Sequence, residues 1–149
     1  MGSILVSVAQ AATTVINITG AVIAKPQCVI NNNQAIFVDF GNDLLTTKVN
    51  GTNYIRNVDY DLDCKNNSTN TMRMRVLGNV ASFNSNAIQS SKSNLAIALM
   101  ADGKPLNIDS WVNFTYPNKP VLQAVPIKGS GTLTSGFFRA GATLMVDYQ

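Results

Sequence analysis

Apolar residues at every second position near the two ends of the chain constrain its fold most strongly. The last fourteen residues, 136–149, place one apolar stripe on alternate positions, namely Phe138, Ala140, Ala142, Leu144, Val146 and Tyr148. Side chains alternate across a β-strand. The pattern therefore predicts a half-buried strand that runs to the last residue.

Residues 13–25 show the same period near the other end. One stripe of this segment consists of Ile16, Ile18, Gly20, Val22 and Ala24. Gly20 interrupts it, and glycine costs roughly 0.5–1 kcal/mol inside a strand. The glycine marks either a bulge in an ordinary first strand or a place where another backbone approaches closely.

Short strand patterns separated by turn clusters fill the middle of the chain. Strands are predicted at 35–40, 53–64, 71–77, 95–100, 111–114 and 121–127, with a polar loop at 84–93 and a hairpin turn at 101–104. No stretch shows sustained helical spacing with caps. Many short strands between turn clusters predict an all-β, immunoglobulin-like sandwich in a single domain.

The composition excludes most catalytic and metal sites. The chain has no histidine and two cysteines, so neither a Ser-His-Asp arrangement nor a closed zinc site can form. Asp59, Asp61 and Asp63 could be calcium ligands or three solvent-facing residues of a strand, and a calcium loop needs six or more converging oxygens. We therefore expect neither an enzyme nor a metal or cofactor site.

The net charge of +3 is small and scattered. Arg73 and Arg75, with Lys65 nearby, form either a small basic patch or a solvated strand face. Clustered basic residues with interleaved aromatics, which nucleic-acid binding requires, are missing. Nucleic acid is therefore not an expected partner.

Several motifs in the same order give the chain a family resemblance. Residues 20–28 read Gly-x-Val-x-x-x-Pro-x-Cys, Cys64 closes a strand pattern, Gly136 is fourteenth from the end, and Tyr148 is penultimate. Together these features resemble the pilins of chaperone–usher pili over residues 12–149. The stretch 28–41 is most similar to the minor adaptor subunits of P-type pilus tips.

This resemblance implies an incomplete immunoglobulin-like sandwich that lacks its final strand, with an N-terminal extension that completes a neighbour. The implied donor-strand residues are Ile16, Ile18, Gly20, Val22 and Ala24. Gly20 would lie where the neighbour's groove is narrowest. The implied partners are a periplasmic pilus chaperone, an outer-membrane usher and neighbouring pilin subunits, with no direct membrane insertion.

The C-terminal strand is the part that the resemblance assigns to the chaperone. The implied contact residues are Gly136, Phe138, Ala140, Ala142, Leu144, Val146, Tyr148 and Gln149. The terminal carboxylate would meet basic residues of the chaperone. The alternative is that this segment only closes a complete sandwich.

The domain boundaries follow from the two ends. Residues 1–11 contain a short apolar run and a small-x-small site, and we interpret them as a signal-peptide remnant behind an expression start. Residues 12–25 would be the donor arm and 26–149 the pilin domain. In an exported chain, Cys28 and Cys64 are expected to form one disulfide, whereas a cytosolic chain would keep two buried thiols.

The predicted function is that of a structural subunit of an adhesive chaperone–usher pilus on the cell surface. A minor tip adaptor that polymerises by donor-strand exchange is the first hypothesis. The alternatives are a rod pilin, a terminator, or a compact exported adhesin or lectin. A closed, self-sufficient sandwich with its leading segment folded inside would overturn the pilus interpretation, and the sequence leaves open how an isolated chain covers its groove.

Overall fold

A β-sandwich is the architecture of the described residues, 14–22, 27–41 and 44–149, in the computed structural model. Two short 3-10 turns, Asn31–Asn33 and Thr46–Lys48, accompany the strands. The strands are β1 Thr14–Val22, β2 Gln27–Ile30, β3 Ile36–Asp39, β4 Arg56–Val58, β5 Leu62–Lys65, β6 Thr71–Leu77, β7 Val80–Ala81, β8 Asn84–Gln89, β9 Leu95–Ala101, β10 Lys104–Pro105, β11 Val112–Thr115, β12 Leu122–Lys128 and β13 Phe138–Tyr148.

Two large sheets and one small pair make up the sandwich. The five-stranded sheet has the order β11-β6-β13-β1-β3, and the six-stranded sheet has the order β4-β12-β9-β8-β7 with β10 beside β9. The strands β2 and β5 form a separate antiparallel pair. One continuous apolar core joins the inner faces of the two large sheets. The all-β prediction is confirmed.

The strand β9 shows how the sequence specifies a central position. Leu95, Ile97 and Leu99 face the main core, whereas Ala96 and Ala98 pack in a small apolar cluster on the opposite face of the sheet. A strand that is buried on both faces is apolar throughout rather than alternating. The predicted hairpin turn follows it, with positive φ at Asp102 and Gly103 as such a turn requires.

Two strand predictions need correction. The polar stretch predicted as a loop at 84–93 contains β8, whose Ala87 and Ile88 are fully buried and pair with β9. The single strand predicted at 53–64 is divided into β4 and β5. It breaks because β4 pairs with β12 in the six-stranded sheet, whereas β5 pairs with β2, so the chain leaves one sheet at Tyr60 and joins another.

Arginine and tryptophan side chains cover part of the outer face of the five-stranded sheet. The guanidinium carbons of Arg73 and Arg75 lie 4.0 and 4.5 Å from the centroid of the Trp111 ring, within cation–π range. Arg73 is 3.7 Å from Asp147, and Arg75 donates a hydrogen bond of 2.8 Å to Asp109. Because both arginines face carboxylates, this surface is a set of charge pairs rather than a basic patch.

Candidate functional site

The N-terminal strand β1 lies inside the five-stranded sheet of its own chain. It runs parallel to β13 over Thr14–Val22 and antiparallel to β3. Ile16 and Ile18 are 0% and 2% exposed, so both belong to the core. Burying each of these side chains contributes roughly 1.5–3 kcal/mol to the free energy of unfolding.

The sizes of the inward-facing residues in β1 and β13 are complementary. Ile16 lies opposite Ala140 and Ile18 opposite Ala142, so each isoleucine meets the smallest apolar side chain. Further along, Gly20 pairs with Leu144, which is 0% exposed. Alternating large and small residues lets two neighbouring strands share one layer of core without overpacking. The β1–β13 register runs through Gly20 without a shift, so Gly20 does not mark a bulge.

The strand β13 is fixed along one edge independently of β1. Its second half pairs with β6 from Thr143 to Tyr148. In its first half, the amide of Arg139 donates to Ser91 Oγ, and the Arg139 carbonyl accepts from the Ser91 amide. The Gln149 side chain donates to the Met72 carbonyl at 2.7 Å. Its other edge is the one that β1 occupies.

The strand β3 depends on β1 for its place in the sheet. Among the described residues, β1 is the strand with which β3 forms a ladder, through register pairs such as Ile18–Ile36 and Ile16–Val38. Removing β1 would leave an apolar groove between β3 and β13, with unpaired backbone groups on both edges. Such a groove is an aggregation hazard unless another strand fills it.

The groove continues towards the start of β13. A small apolar cavity of about 20 Å³ lies beside Phe138, the register partner of Thr14. It is lined in part by Leu44, Leu95 and Leu133. Lys92 Nζ donates to Thr134 Oγ1 at 3.0 Å and to the Ser135 carbonyl at 3.2 Å, which ties down the segment that precedes the cavity and β13.

The structure shows where most of the other predicted residues of the C-terminal strand and the N-terminal arm lie. Phe138, Ala140, Ala142, Leu144 and Val146 are buried in the core. Tyr148 is half-buried, and its hydroxyl accepts a hydrogen bond from the Ser68 amide. The left-handed φ of +125° at Gly136 suits glycine just before the strand. Within the arm, Val22 pairs with Val146, and Ala24 lies outside the described residues.

The two cysteines form the predicted disulfide. Cys28 of β2 and Cys64 of β5 are register partners and are bonded to each other. Both are buried in the main core. The bond therefore locks β2 to β5, and the burial of both cysteines packs this pair against the main core.

A second, polar cleft of about 370 Å³ lies away from β1. Asp59, Asp61 and Lys119 line it, and Tyr60 forms part of its wall. Asp59, Asp61 and Asp63 are all exposed, as predicted, but they do not share one strand, because Asp59 and Asp61 lie between β4 and β5. In the described part of the chain, no three histidine, cysteine, aspartate or glutamate side chains come together in a way that could hold a metal ion.

Comparison with known proteins identifies the family of the chain. The family model described as "Fimbrial protein" matches residues 16–149. The chain belongs to the fimbrial protein family. It is 38% identical over 132 residues to the uncharacterized fimbrial-like protein YfcR of Escherichia coli K12, covering 85% of this chain and 75% of YfcR.

Solved fimbrial structures share its fold. The P pilus adaptor subunit PapF superposes with a TM-score of 0.61 at 27% identity, covering 83% of this chain and 97% of PapF. The P pilus rod subunit PapA gives a TM-score of 0.66 at 23% identity, covering 83% of this chain and 99% of PapA. The immunoglobulin-like pilin fold is thus confirmed.

Membership of the fimbrial family answers the broad functional question. The chain is a structural, non-enzymatic subunit of fimbriae, which are exported to the cell surface and built from interacting pilin subunits. No helix in the described residues is long and apolar enough to span a membrane.

The position of β1 meets the condition that was expected to contradict the pilus interpretation, namely a leading segment folded inside its own chain. The leading segment does complete the interior of its own chain, which by itself would argue against a pilin. That condition is too strict, because the chain belongs to the fimbrial protein family although β1 lies in its own groove. The large–small match of β1 to β13 is visible in the sequence, although periodicity alone does not show which partner it fits.

Proposed function

We propose that this fimbrial protein is a minor tip adaptor that polymerises by donor-strand exchange. In this proposal, Thr14–Val22 leaves the chain's own groove, and residues 12–25 serve as the arm that enters the groove of a neighbouring subunit. Another molecule's strand then takes the place of β1 between β3 and β13. Main-chain hydrogen bonds supply affinity, and alternate side chains set the register, as is known for strand addition in pilins.

The observation that carries the proposal is the separability of β1. Strand β13 keeps its pairing with β6, and the Cys28–Cys64 bond anchors the following β2–β5 pair, when β1 is taken away. What is lost is one strand's ladder and the burial of Ile16 and Ile18. Any extended segment with the same alternation could restore both.

A periplasmic chaperone and an outer-membrane usher are the proposed assembly partners. The free edge left on β13 suits pairing with a chaperone strand, with Phe138 to Val146 facing the shared core. The assignment as adaptor is supported by the likeness of residues 28–41 to tip adaptors and by the similarity to PapF. The similarity to PapA keeps the rod role as the competing assignment.

Strand capture can be tested with the full chain and a peptide that copies residues 12–25. Ile16→Asn with Ile18→Asn places two polar side chains in the core and should release the arm. We expect this variant to bind the peptide and to become markedly more heat-resistant. A matched control, Asn17→Ser with Thr19→Ser, changes alternate positions of the same strand and should keep its arm in place. If the released variant folds but never takes up the peptide, donor-strand exchange is wrong.

The adaptor role has a separate test. Immunogold labelling of assembled fimbriae should show this protein at one end of each fibre. Labelling along the whole fibre would instead assign it to the rod.

A further inference from the structure

We propose that β1 is an intramolecular plug. While β1 is in place, the subunit can neither accept a strand from another molecule nor donate its own. This inference rests on the proposed donor-strand exchange and adds a control step to it. While Thr14–Val22 occupies the chain's own groove, no incoming strand can bind there. The same segment is then not available to a neighbour. One event, withdrawal of β1, activates both ends of the subunit.

Side-chain fit supports the plug as a specific state rather than a non-specific collapse. The parallel register places Ile16 and Ile18 opposite Ala140 and Ala142, and Gly20 opposite Leu144. A shift by two residues would place an isoleucine opposite Leu144 and overpack the core. A shift by one residue would turn the apolar stripe out of the core. The observed register is therefore well specified.

The covalent connection makes the plug hard to displace. Residues 23–26 alone join β1 to the disulfide-anchored β2, so the arm never diffuses away. A short tether gives an effective concentration on the order of millimolar. A free strand at about 10 µM would therefore occupy the groove roughly 100-fold less well than the same strand tethered in place. Exchange requires either a tighter donor or a partner that holds β1 out.

The plug is paired in both directions. The β1–β13 ladder is parallel and the β1–β3 ladder is antiparallel, so an incoming strand of opposite direction would gain pairing stability on the β13 edge and lose it on the β3 edge. Strand direction alone therefore does not favour exchange, and a donor must fit the groove better than β1 does.

The first test compares uptake of a fluorescent peptide copying residues 12–25 by three full-length chains. For a peptide whose dissociation constant for the open groove is about 10 µM, the variant Ile16→Asn with Ile18→Asn should bind at a peptide concentration roughly 100-fold lower than the wild-type chain does. The control Asn17→Ser with Thr19→Ser should behave as wild type. Equal binding by wild-type and released chains would overturn the plug, whereas failure of a folded released chain to bind would overturn donor-strand exchange itself.

A second test keeps the native arm and therefore does not depend on whether the released variant folds. Thr19 and Thr143 are register partners in β1 and β13, so Thr19→Cys with Thr143→Cys should lock the arm by a disulfide. The oxidised lock should neither take up the peptide nor donate its arm to the released variant, and reduction should restore both. Thr143→Cys alone, under the same reductant, controls for the native Cys28–Cys64 bond. Uptake that is the same before and after reduction would overturn the inference.

Discussion

Strands β9 and β1 are interior strands of the two large sheets, and both place fully buried isoleucines in the core, yet they are held very differently. Strand β9 pairs with β8, β10 and β12, all of which lie within residues 84–128. Strand β1 pairs with β3 and with β13, more than a hundred residues away in sequence. The six-stranded sheet is therefore assembled from neighbouring segments, whereas the five-stranded sheet depends on a strand delivered from the far end of the chain.

This difference separates two kinds of core strand. A strand such as β9 cannot leave without unpairing partners on both sides and opening both of its apolar faces. A strand such as β1 can leave with the rest of β13 still paired to β6. Equal burial thus does not mean an equal role, and β1 is the strand that the proposed donor-strand exchange would replace.

The largest expected effect comes from placing a charge at a buried position of each of these two strands. Ile97 in β9 and Ile18 in β1 are 0% and 2% exposed, so an aspartate at either position should cost at least about 4 kcal/mol if the strand stays in place. Ile97→Asp should unfold the domain whether or not the 12–25 peptide is present. Ile18→Asp should be rescued by the peptide, as followed by circular dichroism during heating. Rescue of both variants, or of neither, would remove the distinction between the two strands.

The disulfide should stabilise the body without affecting the arm. Cys28 and Cys64 are separated by 36 positions, and closing a loop of this size contributes about 4 kcal/mol in the chain-entropy model. Cys28→Ser with Cys64→Ser should lower the global free energy of unfolding by about that amount in a denaturant titration. Peptide affinity of the arm-released chain should change little. A large loss of affinity would show that the bond also shapes the groove.

A double-mutant cycle can establish the register of β1. Gly20→Val should overpack against Leu144 and cost about 1–3 kcal/mol. Leu144→Ala should cost about 2–5 kcal/mol through the cavity that it leaves. Because the valine partly fills that cavity, the combined variant should be more stable than the sum of the two changes predicts. Simple additivity would contradict the pairing of Gly20 with Leu144.

The smallest expected effect lies where the chain crosses between sheets. The Tyr60 hydroxyl donates a 2.6 Å hydrogen bond to the Pro120 carbonyl, so Tyr60→Phe should cost about 1 kcal/mol at neutral pH. Burial, with a smaller contribution from the Asp102 carboxylate, raises the pKa of Tyr60 above its ordinary value. The folded state therefore favours the protonated phenol.

This pKa shift gives the Tyr60 prediction a pH dependence. The stability that Tyr60 contributes is present below its unfolded pKa of about 10 and is lost as pH rises from there through the folded pKa. Unfolding titrations above pH 10 should fall less steeply for Tyr60→Phe than for wild type. Tyr54→Phe, at a half-buried tyrosine whose hydroxyl accepts from the Leu45 amide, serves as the comparison. Parallel curves for Tyr60→Phe and wild type would contradict the assignment.

The sequence predicts most of the fold because the period of two is strong where one face is buried. The inward stripes of β6 and β13, including Met72, Met74 and Leu144, follow directly from alternation. Strand β8 escapes prediction because Asn84, Asn86 and Gln89 are polar, and its place depends on pairing with β9. The order of polar and apolar residues within one segment cannot show which other strand that segment pairs with.

The candidate site, like the fold, is predicted from the sequence only in part. Alternation identifies β1 and its inward residues Ile16 and Ile18. It does not identify the partner strand, because pairing across more than a hundred residues leaves no local periodic signal. The resemblance to pilins supplies a partner in a neighbouring subunit, whereas the structure places the same strand in its own groove. Both occupancies satisfy one pattern, which is why sequence alone left the isolated chain undecided.

Native-state hydrogen exchange on the wild-type chain tests most directly whether β1 is a replaceable strand. We predict that the amides of Thr14–Val22, together with those of Ile36–Asp39, exchange through a shared opening of lower free energy than global unfolding. Amides of Leu95–Ala101 should exchange only with global unfolding. Equal protection of β1 and β9, lost together in one transition, would contradict the account.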